Sequence, residues 1–136
     1  MAKFVYKDAF ISVNGVDLSL FARQVEVTTG AADVESTTMG ASGVGRIGGG
    51  LRDEKFVVTW AQDFASAKVD ATLWPLYSGG TSHVVIVRPT SAEASSTNPA
   101  FTGTCYLLDY VPLAGKTGDL AEATSTFVVN GVLTHT

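Results

Sequence analysis

Few residues in this sequence have the types and spacing that chemistry requires. Gly43-Val-Gly45-Arg-Ile-Gly48 fits the G-x-G-x-x-G pattern of a dinucleotide-binding turn. Such a turn needs a strand before it and a helix after it, whose N-terminus receives the pyrophosphate. Here a Ser/Thr-rich stretch precedes the glycines and a strand-like pattern follows, so no nucleotide site is expected. The complete P-loop pattern is absent. The two histidines, His83 and His135, have no partner at ligand spacing, and Cys105 is the one cysteine. A metal site or a Cys-His nucleophile is therefore not expected. The simpler reading is a surface histidine and a core cysteine acting as a small hydrophobe. Two carboxylate pairs occur. Asp53 and Glu54 point to opposite faces of a strand, and Asp33 and Glu35 share a face at the edge of a loop. Glycosidase-type chemistry would need a distant partner. Trp60 and Trp74 could line a sugar site, but their apolar neighbours favour packing between a strand and a helix. The expectation is no catalytic residue, no metal and no cofactor.

The elements that would position any site are mostly strands. Residues 52–64 alternate, with Phe56, Val58, Trp60 and Phe64 on one face. Arg52, Glu54 and Gln62 share their parity. Val57, Thr59 and Ala61 lie on the other face with Asp53, Lys55 and Asp63. A period of two reads as a strand. From Ala67 the period changes. Val69, Leu73, Leu76 and Tyr77, with Ala71 and Trp74 beside them, form an apolar stripe on a short helix. Ser66 is the expected N-cap, and Asp70 sits near the positive end of the dipole. Pro75 inside the helix costs roughly 3 kcal/mol and predicts a kink or a new turn at Trp74 or Pro75. Gly79-Gly80 ends the element.

Asn14-Gly15 between apolar stretches 9–13 and 16–20 predicts a hairpin, since both turn positions need positive φ. Residues 24–29 read as a strand with Val25 and Val27 inward and Gln24, Glu26 and Thr28 on a wet face. Residues 30–50 hold seven of the fourteen glycines. A loop of this length is either flexible or ordered only against a neighbouring subunit. Residues 82–88 form a strand whose Val84-Val85-Ile86-Val87 run predicts burial on both faces. Residues 89–100 form a surface loop with a turn at Asn98-Pro99. Residues 101–111 form a strand with Phe101, Cys105, Leu107 and Val111 on one face and Tyr106, Leu108 and Tyr110 on the other. A turn at 115–118 precedes a strand at 121–130, with Ala123, Phe127 and Val129 inward and Glu122, Thr124 and Thr126 outward. Asn130-Gly131 makes a second turn. The fold class is mainly β, an antiparallel β-sandwich or half-open barrel with one short helix. The predicted core includes Phe56, Val58, Trp60, Leu73, Trp74 and Phe127.

The 136 residues are enough for one domain with a real core. Charged residues make up only 16%, against a usual share of about 25%. Such a surface suits a β-protein engaged in assembly. The net charge of −4 and the scattered basic residues exclude a simple DNA-binding module. No apolar run approaches the roughly 20 residues that span a bilayer. The first ten residues lack the apolar core of a signal peptide, which leads to an expectation of cytoplasmic synthesis.

The order of these pieces resembles a known family. QVEVTTGAADVESTTMG is followed by LRDEKFVVTWAQDF, the helix VDATLWPLYSGG and the strand HVVIVRP. NPAFTGTCYLLDY, Gly118-Asp119 and TSTFVVNGV complete the series. The chain resembles the tail tube (major tail) proteins of long-tailed, siphovirus-type bacteriophages of actinobacteria. The most telling pieces are Trp60-Ala-Gln-Asp63, Leu73-Trp74-Pro75-Leu76, and Asn98-Pro99 through Thr102-Gly103. The resemblance implies one tail-tube domain over 1–136, in hexameric rings that stack into a hollow tube conducting DNA to the host. It implies an inner β-barrel with the helix outside, and a loop at 36–50 that contacts neighbouring subunits. The contact candidates are Thr37, Thr38, Met39, Val44, Arg46 and Ile47. The lumen candidates are Gln24, Glu26 and Thr28, on a surface along which DNA passes without specific binding. Implied partners are further copies of the chain and the tape measure, terminator and baseplate proteins, with no membrane. The implied location is the virion tail, assembled in the host cytoplasm. The absence of an immunoglobulin-like addition implies a plain tube. Alternatives are a tail terminator or baseplate tube-ring protein, and a monomeric β-sandwich module binding carbohydrate or peptide.

Overall fold

A computed structural model describes residues 3–136. Ten strands and one helix follow in the order β1 (Phe10–Val13), β2 (Val16–Asp17), β3 (Ala22–Thr28), β4 (Val34–Glu35), β5 (Arg46–Ile47), β6 (Lys55–Ala61), α1 (Val69–Gly79), β7 (His83–Arg88), β8 (Phe101–Ala114), β9 (Glu122–Val129) and β10 (Thr134–His135). The main sheet runs β2-β1-β7-β8-β9-β6-β3, and β10 pairs with β8. Its pairings are antiparallel throughout. β4 and β5 form a separate two-stranded ribbon. This is a mainly antiparallel β fold with one helix.

The first hairpin forms where the sequence places it. Asn14 (φ 51°) and Gly15 (φ 81°) both take positive φ, as a two-residue turn matched to strand twist requires. Its second strand is shorter than the apolar pattern suggests. It stops at Asp17, whose carboxylate accepts the Ser19 N–H at 3.0 Å and starts a 3₁₀ turn over Ser19–Phe21.

Side chains directly opposite each other in neighbouring strands share a face. The rows Val27–Phe56–Phe127–Leu107 and Val25–Val58–Ser125–Tyr110 therefore lie on one side of the sheet. Val85, Val87, Ile11 and Val13 continue that side in β7 and β1. Phe56, Val58, Trp60, Leu73 and Phe127 are fully buried there. Burial of each aromatic side chain contributes about 2 to 3 kcal/mol. The indole Nε1–H of Trp60 donates to Ser125 Oγ at 2.8 Å, so its polar atom is satisfied inside the core.

The helix covers this face with Val69, Leu73 and Leu76, spaced four and three apart. Trp74 is not core: it is 48% exposed. It follows Leu73 by one residue, which turns it about 100° off the buried stripe. It lies on Tyr77 and Tyr110 at the surface, with ring centroids 5.5 and 6.5 Å away. Phe64 is likewise exposed, because β6 ends at Ala61. Ser66 does not cap the helix. The N-cap is Lys68, with no side-chain bond, and the Asp70 N–H reaches back to the Asp63 carbonyl at 3.2 Å. Pro75 sits inside one continuous helix on its exposed side. Water can therefore solvate the carbonyl it leaves without a donor.

Two strands depart from simple alternation. In β8 the register shifts between Leu107 and Asp109. This bulge sends Tyr110 inward and leaves Asp109 and Val111 outward. The expected face of Phe101, Cys105, Leu107 and Val111 breaks at that point. β7 is buried on one face only, with Val84 exposed and Ile86 half-buried. Its outer side pairs with Thr104 and Thr102 of β8, and no layer covers it. The Asn130-Gly131 turn carries the chain past β9 to pair with β8, rather than back along β9.

Candidate lumen face and assembly edges

The opposite side of β3, β6, β9 and β8 is built from residues the core does not use. Three rows cross it. Gln24, Thr59, Thr124 and Val111 form one, and Glu26, Val57, Thr126 and Asp109 the next. Thr28, Lys55, Val128 and Tyr106 form the third. Gln24 and Glu26 are exposed and Thr28 is half-buried, all three on this face. Their position follows from sequence alternation. Asp109 was hidden from sequence reasoning because the bulge moves it to this side. No local sequence signal marks the bulge.

The chemistry of this face is mild. β-branched Thr and Val give a smooth, half-polar surface. Its carboxylates are Glu26, Asp109 and Glu122, and Lys55 is its cation. Arg23 reaches Glu122 at 3.2 Å, and Glu26 accepts the Thr28 hydroxyl at 3.1 Å. Phosphates bind clustered cations, and none are clustered here. Among the described residues no group of three or more His, Cys, Asp or Glu side chains could hold a metal ion. No helix among the described residues is long and apolar enough to cross a membrane.

Both edges of this four-stranded face are open. β3 ends the sheet, with no strand on its outer side among the described residues. On its side away from β9, β8 pairs with β7 only as far as Cys105. Residues 106–114 leave that edge without a strand, beside exposed Leu108, Val111 and Leu113. Long unpaired apolar edges are templates for another chain.

Residues 30–50 are neither a structureless loop nor dependent on a second chain for pairing. Ala31 bridges Arg52, Val34 pairs Ile47, and Glu35 pairs Arg46. The Ala32 N–H donates to the Leu51 carbonyl, and Ser36 N–H to Gly45 at 2.9 Å. Thr37 Oγ1 accepts the Gly45 N–H at 2.9 Å, and Arg46 pairs with Asp33. Gly50 admits the close crossing, because a Cβ there would meet the Ala32 carbonyl oxygen at 2.6 Å. The result is a two-stranded arm. Thr38 and Met39 lie at its tip, and Val44 and Ile47 along it, all exposed. Gly43, Gly45 and Gly48 belong to this arm with no helix after them, so the fingerprint lacks the context that nucleotide binding needs.

The root of the arm is fixed by Glu54, which sequence alternation places inward but whose partners it cannot reveal. Its side chain is fully buried. It accepts the Leu133 N–H at 2.9 Å and Arg52 Nη2 at 2.6 Å. Burial alone would raise its pKa, but the Leu133 N–H and Arg52 outweigh that and hold it below the ordinary value. His83 is buried, contrary to a surface assignment, and its ring meets Phe127 edge-on at 5.5 Å. Burial holds its pKa down, against a weaker opposing bond to the Thr81 carbonyl. His135 lies at the surface. Cys105 is buried, which pushes its thiol up to about 12.

No family model and no curated protein is significantly similar to the chain. Solved structures are. A chain from the virion of a native gene transfer agent particle superposes with a TM-score of 0.79 at 16% identity, covering 98% of this chain and 99% of that one. A chain from the tail of an empty gene transfer agent particle, reconstructed with C6 symmetry, gives 0.72 at 15% identity, covering 88% and 86%. A chain of the SPP1 tail tube gives 0.66 at 13% identity, covering 93% and 74%. The chain therefore has the fold found in components of tailed particles.

Proposed function

We propose that this chain is a structural tail tube subunit of a siphovirus-type particle, acting as one tail-tube domain over 1–136. Six copies form a ring, and rings stack into a tube through which DNA passes. One observation carries the reading. A smooth Thr/Val face with an excess of carboxylates is bounded on both sides by unpaired strand edges. The strands alternate in direction across that face. The β8 edge of one copy can thus continue antiparallel into β3 of the next. Such a contact is heterologous and closes into a ring when the rotation allows. The likeness to a tail chain in a C6-symmetric assembly supports six copies. A barrel of about 24 strands is wider than the 16–18-stranded porins that already leave an aqueous channel. Gln24, Glu26, Thr28 and Asp109 then face the lumen, α1 lies outside, and the arm reaches towards the next ring. Tape measure, terminator and baseplate proteins are the further partners this role requires.

The test is electron microscopy of the purified protein over a wide concentration range, with light scattering in parallel. Hollow tubes or stacked rings are expected. Isolated rings that never stack would replace this reading with a terminator or baseplate ring. A monomer at every concentration would overturn self-assembly and favour a monomeric binding module.

A further inference from the structure

A cleft of about 710 Å³ opens beside the free edge of β3, between that strand and the segment leading into β1. Tyr6, Phe10, Leu20 and Val25 supply apolar walls, and Arg88 lies within it. Leu20 is 96% exposed there. The Nε–H of Arg88 is buried with no hydrogen-bond partner among the described residues. Its guanidinium rests on the Phe10 ring at 3.9 Å. The apolar walls of the cleft are unfilled. Its carboxylates accept bonds from serines, Asp8 from Ser91 and Asp17 from Ser19, while the Arg88 Nε–H has no such acceptor. Lys7, Arg88, Asp8 and Asp17 line it, and so does Arg23, which is paired with Glu122.

We infer that the cleft receives the β8–β9 turn, residues 113–120, of the adjacent copy in the same ring. This rests on the tube reading above. The hand of the sheet supports the assignment. The Val129 N–H bonds to the Glu54 carbonyl, which places β9 on a known side of β6. Seen from the core face with β8 running upward, β3 lies at the left and β8 at the right. Strands of a closed barrel tilt by 35–45° in a right-handed sense. Across four strands this tilt lifts the right-hand neighbour by roughly four to five residues along the strand direction.

Within one copy Gln24 shares a row with Val111. After that offset, Gln24 of the neighbour stands level with the start of the β8–β9 turn. Gln24 lines the cleft. The turn presents Leu113 and Leu120, both more than half exposed. It also carries the Asp119 carboxylate, which already accepts the Lys116 N–H at 3.1 Å. Leucines fill the apolar walls, and turn carbonyls or Asp119 meet the outer, terminal nitrogens of the Arg88 guanidinium, whose Nε stays buried.

Leu20→Asp and Leu113→Asp test the contact, because both side chains are exposed and neither variant should unfold the monomer. Circular dichroism checks this. Each is expected to raise the concentration needed for assembly at least tenfold. Pairing Leu20→Lys with Leu113→Asp in one chain is expected to restore it. If the wild-type protein assembles and both Asp variants assemble equally well, the inference fails and the tube reading stands. If the wild-type protein forms neither rings nor tubes, both fail together.

Discussion

Two long segments of this chain look alike on paper, and the structure treats them oppositely. Residues 30–53 are rich in glycine, and residues 89–100 in serine, threonine and proline. The second is folded on itself by one buried side chain. It is tied to the rest of the subunit by the backbone pair Ala100–Thr136, at 2.7 and 3.0 Å, and by Ser91 Oγ donating to Asp8 at 3.2 Å. Asn98 is buried, accepts the Thr90 N–H at 3.0 Å, and donates to the Ala92 and Glu93 carbonyls at 2.8 and 3.2 Å. The arm is anchored at its root by Glu54 and Arg52, while its outer half bonds only to itself. In residues 89–100 a buried polar side chain sets the loop's geometry, and backbone bonds to the C-terminal strand region tie it to the fold. A self-paired ribbon keeps its shape while leaving its surface unused. The lesson is that polarity and glycine content do not separate a sealed loop from a projecting, self-paired arm. Where the hydrogen bonds terminate does.

The sharpest way to test this contrast is to remove the outer arm. Deleting residues 41–49 should abolish tube or ring formation in electron micrographs. The same deletion should leave unfolding free energy within about 0.5 kcal/mol of the parent, as for a surface change. Tubes from the deleted chain would remove the arm from the assembly argument.

Next in size is the root. Glu54→Ala should lower stability by about 3 kcal/mol, measured by urea unfolding, because it strands the buried Leu133 N–H and an arginine partner. The pH dependence has a definite sign. With its folded pKa lowered, Glu54 contributes stability that is present above the unfolded value near 4.5. That contribution is lost as pH falls through the folded pKa. Urea midpoints of the parent should therefore fall below pH 4.5 more steeply than those of the alanine variant. Parallel pH profiles would show that Glu54 does not fix the root.

The smallest effect is expected at Asn98. Asn98→Ala should cost about 2 kcal/mol through unsatisfied backbone groups, yet leave assembly per folded molecule unchanged. A loss of assembly without a loss of stability would make both segments contact elements and erase the distinction.

Much of this architecture is written locally. Asn14-Gly15 specifies its hairpin because few other residue pairs accept two positive φ values. Alternation places Phe56, Val58 and Trp60 inward, and Gln24 and Glu26 outward, because a strand's period is fixed. What escapes is set by distant partners. The Tyr110 hydroxyl donates to Asp70 at 2.9 Å and accepts from Gln62 at 3.1 Å. Gln62 also donates to the Pro112 carbonyl at 2.6 Å. These tertiary bonds cluster around the β8 bulge, and strand alternation does not contain them. Trp74 misled for the opposite reason: its apolarity was legible, but one helical step decided its side. The arm's ladder joins residues more than ten positions apart, Val34 with Ile47 and Glu35 with Arg46, across a glycine-rich turn, which a window-by-window reading passes over.

Cys105 has a practical consequence. As the sequence's sole cysteine, buried and with its thiol raised to about 12, it carries almost no thiolate at neutral pH. A second cysteine placed at the arm tip, as in Met39→Cys, would therefore be the group that a maleimide or nitroxide reagent finds. The native thiol need not be removed first. The protein is in effect a ready-made frame for single-point labelling, and fluorescence or spin spectra from that tip would report on the proposed stacking of one ring on the next in real time.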